Sequence, residues 1–314
     1  MHIVVTGAQG FIGRTLVHTL LSAGLPGGTP ASMLRVTAVD MSPGSLSPNP
    51  ALLEIQGSFA SPSVLQEVLK QPVDLLFHLA AVPSGRSESD PHLGLDVNVQ
   101  GTIRLLDALK AQGNCPRLVF ASSIAVYGKP QVPLVHDDTL PAPTLSYGAH
   151  KVIGEVLVND YTRRGWVNGN SLRLPGIVAR PPEPNGAVSI FLSDLIRELA
   201  AGRPFTCPTS ADAETWLMSV RCCIRNLLHA ATGKFGARHT WMPPARHVRL
   251  GDLVDAIGVH SNNPEVHKLV TWAPDEWVQF NFGSYPPLKL PEAEAAGFHA
   301  DTSLEQLVAD ALHD

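Results

Sequence analysis

The first half of the chain alternates short apolar runs with longer segments whose apolar residues recur at helical spacing. Strands that alternate with helices pair in parallel through helical crossovers. The pattern therefore predicts an α/β fold, a Rossmann-type doubly wound parallel sheet with helices on both faces. After a strand at the start of the chain, the predicted strands lie at residues 34–39, 52–55, 73–79, 118–121 and 170–174, and helices follow at 64–69, 103–111 and 150–161.

The alternation of strand and helix patterns ends after residue 175. Proline and glycine interrupt residues 174–186, and helical patterns then appear at 189–201, 220–231 and 250–257. We therefore expect a first domain at residues 1–175 and a smaller, mostly helical substrate lobe at 176–314, with room for strands that return to the main sheet.

Composition excludes several classes of protein. The chain has 314 residues, 44% of them hydrophobic and 16% charged, which suits a large buried core. Its net charge of −5, without a basic run, excludes a nucleic-acid surface. No apolar stretch reaches the roughly 18 residues that span a bilayer, and the N-terminal segment lacks a signal-type pattern. We expect a cytoplasmic protein that does not bind a membrane.

Cysteine and histidine spacing does not indicate a metal site. The cysteines, Cys115, Cys207, Cys222 and Cys223, lack a CxxC pair, and the histidines lack HxxxH or HExxH spacing. We expect reduced structural thiols and no metal.

A glycine turn separates the first strand from the first helix. Gly7, Gly10 and Gly13 form a GxxGxxG pattern, and the helix begins at Phe11 and Ile12. Glycine lets the backbone approach a pyrophosphate closely, and the unpaired amides of a helix N-terminus favour an anion. The position of the turn after a strand predicts a dinucleotide site.

Asp40 ends the second predicted strand. A carboxylate at this place accepts hydrogen bonds from an adenosine ribose and repels a 2′-phosphate, and the next residue, Met41, brings no compensating charge. The sequence therefore favours NAD over NADP.

Further motifs follow the glycine turn in order: "HLAA" at 78–81, "NVQGT" at 98–102, "SSIAVYG" at 122–128 and "YGAHK" at 147–151. With them, residues 1 to about 180 resemble the extended short-chain dehydrogenase/reductase family, which includes nucleotide-sugar epimerases and dehydratases. The stretches "RLPGIVARPPEPNGAVS" and "WLMSVRCCIRNLLHA" resemble a narrower group, the D-erythronate dehydrogenase type of sugar-acid oxidoreductases.

The resemblance implies the remaining cofactor contacts. Lys151 would hold the nicotinamide ribose, and adenine contacts near Ser58 would come from the backbone, because this chain reads "QGSFA" where the family often has Asp. The other implied NAD contacts are Leu79, Ala80, Ala81, Asn98, Tyr147, Pro175, Gly176 and Ile177.

Tyr147 and Lys151 are four residues apart and share one face of a helix. Oxidation of a carbinol needs a base for the hydroxyl proton, and a nearby cation favours the phenolate of a tyrosine. By resemblance, Ser123 would bond the substrate oxygen. Asn98 would position the active-site helix or a relay water, and a packing amide is the alternative reading.

Arginine suits an acidic substrate, because its planar fork bonds two oxygens at once. Arg221 is the first candidate for a carboxylate clamp, with Ser84 and Ser189 as hydroxyl partners. Arg173 and Arg180, close to the predicted nicotinamide turn, are alternatives.

The sequence supports three hypotheses. The leading one is NAD-dependent oxidation of a secondary hydroxyl of a small sugar acid, such as a D-erythronate-like aldonate, to the keto acid. The second is a nucleotide-sugar epimerase or dehydratase with tightly bound NAD, and the third is a non-catalytic dinucleotide-sensing protein. By resemblance, we also expect a homodimer formed through the helices at 103–111 and 150–161.

Overall fold

The computed structural model describes residues 1–44, 46–182 and 188–313. The described chain forms two compact units, which interleave along the sequence. The first consists of Met1–Ser123, Leu145–Arg173 and Ile224–Trp241. The second unit contains the remaining residues. A single boundary after residue 175 predicts Ile124–Thr144 in the first unit and Ile224–Trp241 in the second, and the structure has the reverse.

The secondary-structure elements alternate through the first half of the chain, as the sequence predicts. The strands are β1 (His2–Thr6), β2 (Arg35–Asp40), β3 (Leu52–Gln56), β4 (Leu75–His78), β5 (Arg117–Ser123), β6 (Val135–His136), β7 (Asn168–Leu174), β8 (Gly176–Val178), β9 (Phe205–Cys207), β10 (Glu214–Ser219), β11 (Thr240–Trp241), β12 (Arg246–Arg249), β13 (Val270–Trp272) and β14 (Leu288–Lys289). The α-helices are α1 (Phe11–Ala23), α2 (Pro62–Val68), α3 (Ser84–Ser89), α4 (Pro91–Leu95), α5 (Thr102–Gln112), α6 (Ser146–Arg163), α7 (Phe191–Ala200), α8 (Val220–Thr232), α9 (Leu250–His260), α10 (Glu276–Phe282), α11 (Pro291–Ala295) and α12 (Leu304–Leu312).

The first unit contains a seven-stranded sheet in the order β11-β7-β5-β4-β1-β2-β3. Strand β1 pairs in parallel with β2 on one side and with β4 on the other. The pairs β2–β3, β4–β5 and β7–β11 are parallel as well. This Rossmann-type sheet confirms the fold class predicted from the sequence. The chain order reverses direction at β1, so the gap between the ends of β1 and β4 is where such sheets bind ligands.

The central strands lack an alternation of apolar and polar residues, because both faces of the seven-stranded sheet are buried. Val4, Leu76 and Leu118 come from three adjacent strands and are almost completely buried in one hydrophobic cluster. Helices α2, α5 and α6 contribute Leu65, Leu106 and other apolar residues to this cluster. Burial of each such side chain contributes about 1.5–3 kcal/mol before entropy is counted.

The second unit contains helices and small sheets. Strands β8, β10 and β12 form one sheet, with β8 parallel and β12 antiparallel to β10. Two further sheets consist of two strands each, β9 with β13 and β6 with β14. Apolar faces of α7, α9 and α12 form its core. Apart from β10, these strands have two to four residues, too few for a periodic pattern. The sequence therefore indicated only α7, α8 and α9 in this half of the chain, and the six-residue β10 was missed.

Within the described ranges, no helix combines the length and the hydropathy that crossing a membrane requires.

Candidate active site

The carboxyl ends of β1, β2, β4 and β5 carry the residues that the sequence singled out. Gly7 follows β1, Asp40 ends β2, Leu79 follows β4 and Ser123 ends β5. All four belong to the first unit. Because these strands are parallel neighbours, their carboxyl ends meet at one edge of the sheet, which is the usual place for ligands in such folds.

The turn after β1 is shaped by two close backbone approaches. Gly7 has φ +72°, and a Cβ on it would lie 2.7 Å from the backbone nitrogen of Ala80. A Cβ on Gly13 would lie 2.1 Å from the carbonyl oxygen of Gly7. Both glycines are therefore required by the packing of the protein itself, whether or not a ligand is bound.

Gly10 is different, because nothing in the protein demands a glycine there. Its φ is −72°, and a Cβ would meet only the carbonyl oxygen of Gly7, at 3.4 Å. Gly10 precedes α1, whose first turn has no acidic residue. A dinucleotide pyrophosphate against this helix N-terminus needs the space that a side chain at Gly10 would fill, so the turn fits the predicted cofactor.

Asp40 is held in place by two backbone amides. Its Oδ2 accepts a hydrogen bond from the backbone of Gln9 at 2.9 Å, and its Oδ1 accepts one from Ser42 at 2.9 Å. These bonds tie the end of β2 to the glycine turn and hold the carboxylate beside it. The side-chain Oγ of Ser58 accepts a hydrogen bond from the backbone nitrogen of Ala60 at 3.2 Å.

Asn98 holds the loop that follows β4. Its Oδ1 accepts from the backbone nitrogen of Val82 at 2.7 Å, and its Nδ2 donates to the carbonyl oxygen of Val82 at 3.0 Å. The same Nδ2 lies 3.4 Å from Nδ1 of His150 on α6. Asn98 is buried within a π-helical turn, Asp96–Gly101, a kind of turn that is frequent at functional sites. Its contacts join the loop of Leu79, Ala80 and Ala81 to the helix that carries Tyr147.

His78, the first residue of "HLAA", has a structural role that the sequence did not reveal. Its Nδ1 lies 2.8 Å from Oγ1 of Thr6 on β1, and its Nε2 lies 3.1 Å from Oγ1 of Thr102 on α5. Burial, with a smaller effect from the charge of Lys151, lowers the pKa of His78 to about 3. A neutral ring therefore bridges two threonines below the glycine turn.

Tyr147 and Lys151 lie on consecutive turns of α6. The ammonium nitrogen of Lys151 is 5.4 Å from the centre of the Tyr147 ring and 4.7 Å from that of Phe120 on β5. Lys151 is only 3% exposed, and burial lowers its pKa from 10.5 to about 7, while the carboxylate of Glu155 opposes this shift. Tyr147 and Ser123 are half-buried. The structure thus places a buried cation beside a partly accessible phenol.

Glu155 and Arg173 form a buried ion pair that sequence reasoning missed. Arg173 Nη2 lies 2.8 Å from Glu155 Oε2, and its Nε donates to Oε1 at 3.0 Å. The spacing of Glu155, one more helical turn after Lys151, indicates the helix face but not the partner Arg173. Arg173 is therefore committed to this carboxylate.

The second unit carries the residues predicted for the nicotinamide turn. Gly176 and Ile177 belong to β8 and pair with Leu217 and Met218 of β10, and Pro175 immediately precedes them. The neighbouring Trp216 is completely buried, and its Nε1 donates to the carbonyl oxygen of Pro286 at 2.7 Å.

The residues predicted to bind the substrate are spread over both units. Ser84 begins α3 in the first unit, and Ser189 lies in a short 3₁₀ helix of the second. The side chain of Arg221 is 48% exposed and lies 3.5 Å from the carboxylate of Asp310. The carbonyl oxygen of Arg180 accepts a hydrogen bond from Arg197. Residues 183–187, within the stretch that resembles sugar-acid oxidoreductases, lie outside the described residues.

In the described ranges, no group of three or more His, Cys, Asp or Glu side chains could hold a metal ion, and the four cysteines are free thiols.

Comparison with known proteins identifies the family of the chain. Residues 3–235 match the model of the NAD dependent epimerase/dehydratase family. A D-erythronate dehydrogenase of Cupriavidus necator is 35% identical over 100% of this chain and 98% of its own length.

Two solved structures are similar over nearly the whole chain. A nucleoside-diphosphate-sugar epimerase from Agrobacterium tumefaciens has a TM-score of 0.89 and 31% identity, covering 98% of this chain and 92% of its own. MoeE5, solved in complex with UDP-glucuronic acid and NAD, has a TM-score of 0.78 and 26% identity, covering 99% and 97%. With the glycine turn, Asp40 and the pair of Tyr147 and Lys151, these matches show an NAD-dependent oxidoreductase that belongs to the NAD dependent epimerase/dehydratase family.

Proposed function

We propose that this enzyme oxidises a secondary hydroxyl of a small sugar acid, a D-erythronate-like aldonate, to the corresponding keto acid. The observation that carries the chemistry is the buried ammonium of Lys151 beside the phenol of Tyr147. The substrate class is supported by the full-length similarity to a protein named D-erythronate dehydrogenase.

Tyr147 is the proposed base. Its phenolate takes the proton of the substrate hydroxyl, and Ser123, at the end of β5, donates a hydrogen bond to the same oxygen. NAD, when bound, accepts the hydride that leaves the carbinol carbon. The positive charge of Lys151 favours the phenolate over the neutral phenol, and its burial keeps this Coulomb interaction strong.

Different residues are proposed to bind different parts of NAD. The turn from Gly7 to Gly13, with Phe11 and Ile12, would bind the pyrophosphate, and Asp40 the adenosine ribose. Lys151 would bind the nicotinamide ribose. The remaining proposed contacts are Ser58, Leu79, Ala80, Ala81, Asn98, Tyr147, Pro175, Gly176 and Ile177.

Arg221 remains our first candidate for binding the acid group, with Ser84 and Ser189 as hydroxyl partners. Its half-exposed guanidinium, 3.5 Å from the carboxylate of Asp310, would exchange this carboxylate for that of the substrate. Arg180 is the second candidate. Arg173 is disfavoured, because its guanidinium is bound to Glu155.

A nucleotide-sugar epimerase or dehydratase with tightly bound NAD is the second candidate function. The 31% identity to a protein named nucleoside-diphosphate-sugar epimerase favours it. Tyr147 would take the proton of a sugar hydroxyl, and bound NAD would serve as the transient acceptor of the hydride that returns to the substrate. A non-catalytic dinucleotide sensor is disfavoured, because Ser123, Tyr147 and Lys151 are all present.

A substrate screen separates these functions. The protein would be incubated with NAD and either a series of aldonates or a series of nucleotide sugars, and both NADH and product identity would be measured. We expect NADH to accumulate with a four-carbon aldonate in proportion to the keto acid formed. Conversion of a nucleotide sugar without NADH accumulation would instead support the epimerase. Binding of NAD without turnover of any compound would support the sensor.

We also propose a cytoplasmic homodimer, formed through α5 and α6. On α6, Ile153 and Val156 expose apolar side chains, and Val156 is 61% exposed. Val156→Glu should produce monomers in analytical ultracentrifugation. Val259→Glu, at an exposed apolar position of α9, is the matched control and should leave the dimer intact. A Val156→Glu protein that sediments as the wild-type protein does would rule out this interface.

A further inference from the structure

The carboxylate of Glu155 connects three elements of the first unit. Glu155 lies on α6, one turn beyond Lys151, and is 4% exposed. Its Oε1 accepts hydrogen bonds from Oγ of Ser122 on β5 at 2.5 Å and from Nε of Arg173 on β7 at 3.0 Å. Its Oε2 accepts one from Nη2 of Arg173 at 2.8 Å. Glu155 thus binds two neighbouring strands to the helix of the proposed base.

Ser122 and Glu155 are both close in sequence to residues of the proposed reaction. Ser122 precedes Ser123, and Glu155 is on the same helix face as Lys151 and Tyr147, at successive intervals of four residues. Because Glu155 and Arg173 are both buried, solvent screens their charges poorly. A change in the charge of Glu155, which acts on Lys151, or of Arg173, which balances Glu155, is therefore poorly screened.

The other groups that face Lys151 do not offset its charge. On α6 itself, burial lowers the pKa of His150, and on β4 burial lowers the pKa of His78 to about 3. From β5, Lys151 meets the uncharged ring of Phe120. The carboxylate of Glu155 is the anion that favours the ammonium form of Lys151, and it is itself balanced by Arg173.

We propose that Glu155 is a positioning residue of the proposed reaction, and that the balance of charge between Glu155 and Arg173 sets the protonation of Lys151 and, through it, the ionisation of Tyr147. The inference rests on the proposed function, which assigns Tyr147 as the base. It adds two buried residues, neither of which contacts the reacting atoms, to the machinery of the site.

Removal of the negative charge and removal of the positive charge of the ion pair should shift the titration of Lys151 in opposite directions. Glu155→Gln leaves the guanidinium of Arg173 uncompensated, so Lys151 should lose its proton at lower pH. Arg173→Gln leaves the carboxylate uncompensated, so Lys151 should lose its proton at higher pH. A single charge this close shifts a titration by about one pH unit or more. The double variant restores the net charge and should titrate near the wild-type midpoint.

The measurement is a pH titration of the Lys151 side chain by nuclear magnetic resonance, in the full-length protein with isotope-labelled lysine and bound NAD. Lys151→Met identifies the signal. Ser122→Ala and Arg173→Lys are the controls, because the first removes a hydrogen bond and the second changes the shape of the side chain while both keep the charges. They should move the midpoint of the Lys151 titration by less than about a third of the shift seen in the charge variants.

Opposite displacements in the two charge variants, with recovery in the double variant, would support the proposal. Shifts in the same direction, or equal shifts in Arg173→Lys and Arg173→Gln, would overturn it and indicate a packing role. If Glu155→Gln does not fold, the comparison of Arg173→Gln with Arg173→Lys gives the same decision.

The pH profile of kcat/KM connects this titration to the reaction. With an accepted substrate, the profile should move to lower pH in Glu155→Gln and to higher pH in Arg173→Gln. Failure of the proposed function is distinguishable, because the wild-type protein would then oxidise no hydroxy acid while the Lys151 titrations would still separate. Oxidation by the wild-type protein with unchanged titrations would overturn only the inference about Glu155.

Discussion

The ammonium of Lys151 lies 5.4 Å from the centre of the Tyr147 ring, one helical turn away on α6. The spacing alone occurs on the surface of many helices. Here the ammonium is buried under Phe120, at the end of the sheet where the glycine turn and Asp40 also lie. A buried cation beside a phenol has an evident chemical use, which is to favour the phenolate that removes a proton.

Tyr147→Phe should lower kcat by about 100-fold or more, the range that a positioned base contributes, while the Kd for NAD changes less than about twofold. The ring stays and only the proton acceptor is removed. Steady-state kinetics and calorimetric NAD titration measure the two effects. Tyr161→Phe is the control, because its hydroxyl donates to Asp107 at 2.7 Å, a bond between α6 and α5. Wild-type turnover by Tyr147→Phe would remove Tyr147 from the mechanism.

Gly10→Ala should fold normally and bind NAD at least about tenfold more weakly. A Cβ there meets only one protein atom, at 3.4 Å, but it would occupy the space for the pyrophosphate. Thermal unfolding and NAD titration give the two readouts. Gly13→Ala is the contrasting variant, because its Cβ would lie 2.1 Å from the carbonyl oxygen of Gly7 and should destabilise the fold. Unchanged NAD affinity in Gly10→Ala would place the pyrophosphate elsewhere.

Asp40→Asn should lower kcat/KM for NAD by about tenfold, because one charge-assisted hydrogen bond is lost. It should also reduce the preference for NAD over NADP. The asparagine oxygen can still accept from the backbone of Gln9, which keeps the link to the glycine turn, while the bond from the backbone of Ser42 is lost. Glu54→Gln is a control for charge, because Glu54 bonds the side chain of the same Gln9. The ratio of kcat/KM for the two cofactors is the measurement. An equal change of this ratio in both variants would argue against a specific role for Asp40.

Lys151→Met should stabilise the NAD-free protein below neutral pH. Burial lowers the pKa of Lys151 from 10.5 to about 7, so between these values the unfolded chain binds more protons than the folded chain. The free energy of unfolding therefore rises with pH across this window, and the cost of the buried charge is fully present below it. At about 1.4 kcal/mol per pKa unit, the gain at about pH 6 should be a few kcal/mol.

Guanidinium unfolding at about pH 6 and at about pH 10 measures this gain for wild-type and Lys151→Met proteins. We expect a smaller difference at the higher pH, where the wild-type lysine is neutral when folded. A gain that grows with pH would contradict the buried-cation account. The same substitution should abolish turnover, which would show that stability is sacrificed for the charge.

Arg221→Ala should raise KM for the sugar acid by about tenfold or more and leave KM for NAD within about twofold, if Arg221 binds the acid group. Arg180→Ala tests the second candidate in the same assay. The side chain of Asp310 is only 14% exposed, so loss of its ion pair with Arg221 should also lower the free energy of unfolding, which a denaturant titration measures. Equal effects on the two KM values would remove Arg221 from the substrate pocket.

Much of the first unit could be predicted from the sequence, because its strands are buried on both faces and its helices are long enough to show their period. The predicted strand at 52–55 and helix at 103–111, for example, differ from β3 and α5 by only one residue at an end. The second unit was harder, since its strands are short and its division from the first unit depends on long-range contacts, as for Ile224–Trp241.

The residues of the site also differ in how far the sequence could predict them. The glycine turn, Asp40 and the pair of Tyr147 and Lys151 could be recognised, because chemistry requires these residue types at a set spacing. The bonds of Asn98 to Val82 and of Glu155 to Arg173 could not, because each joins residues that are distant in sequence. Whether an arginine is buried or exposed also depends on tertiary packing, so Arg173 could stand as an alternative to Arg221 until the structure showed that it binds Glu155.

The most direct test of the proposed function follows the hydride. D-erythronate deuterated at the reacting carbon would be incubated with the wild-type protein and excess NAD, and the reduced cofactor and the acid product would be analysed by mass spectrometry. We predict deuterium in the reduced nicotinamide and one keto acid formed for each reduced cofactor. Deuterium retained in the recovered acid, with no reduced nicotinamide, would contradict the account.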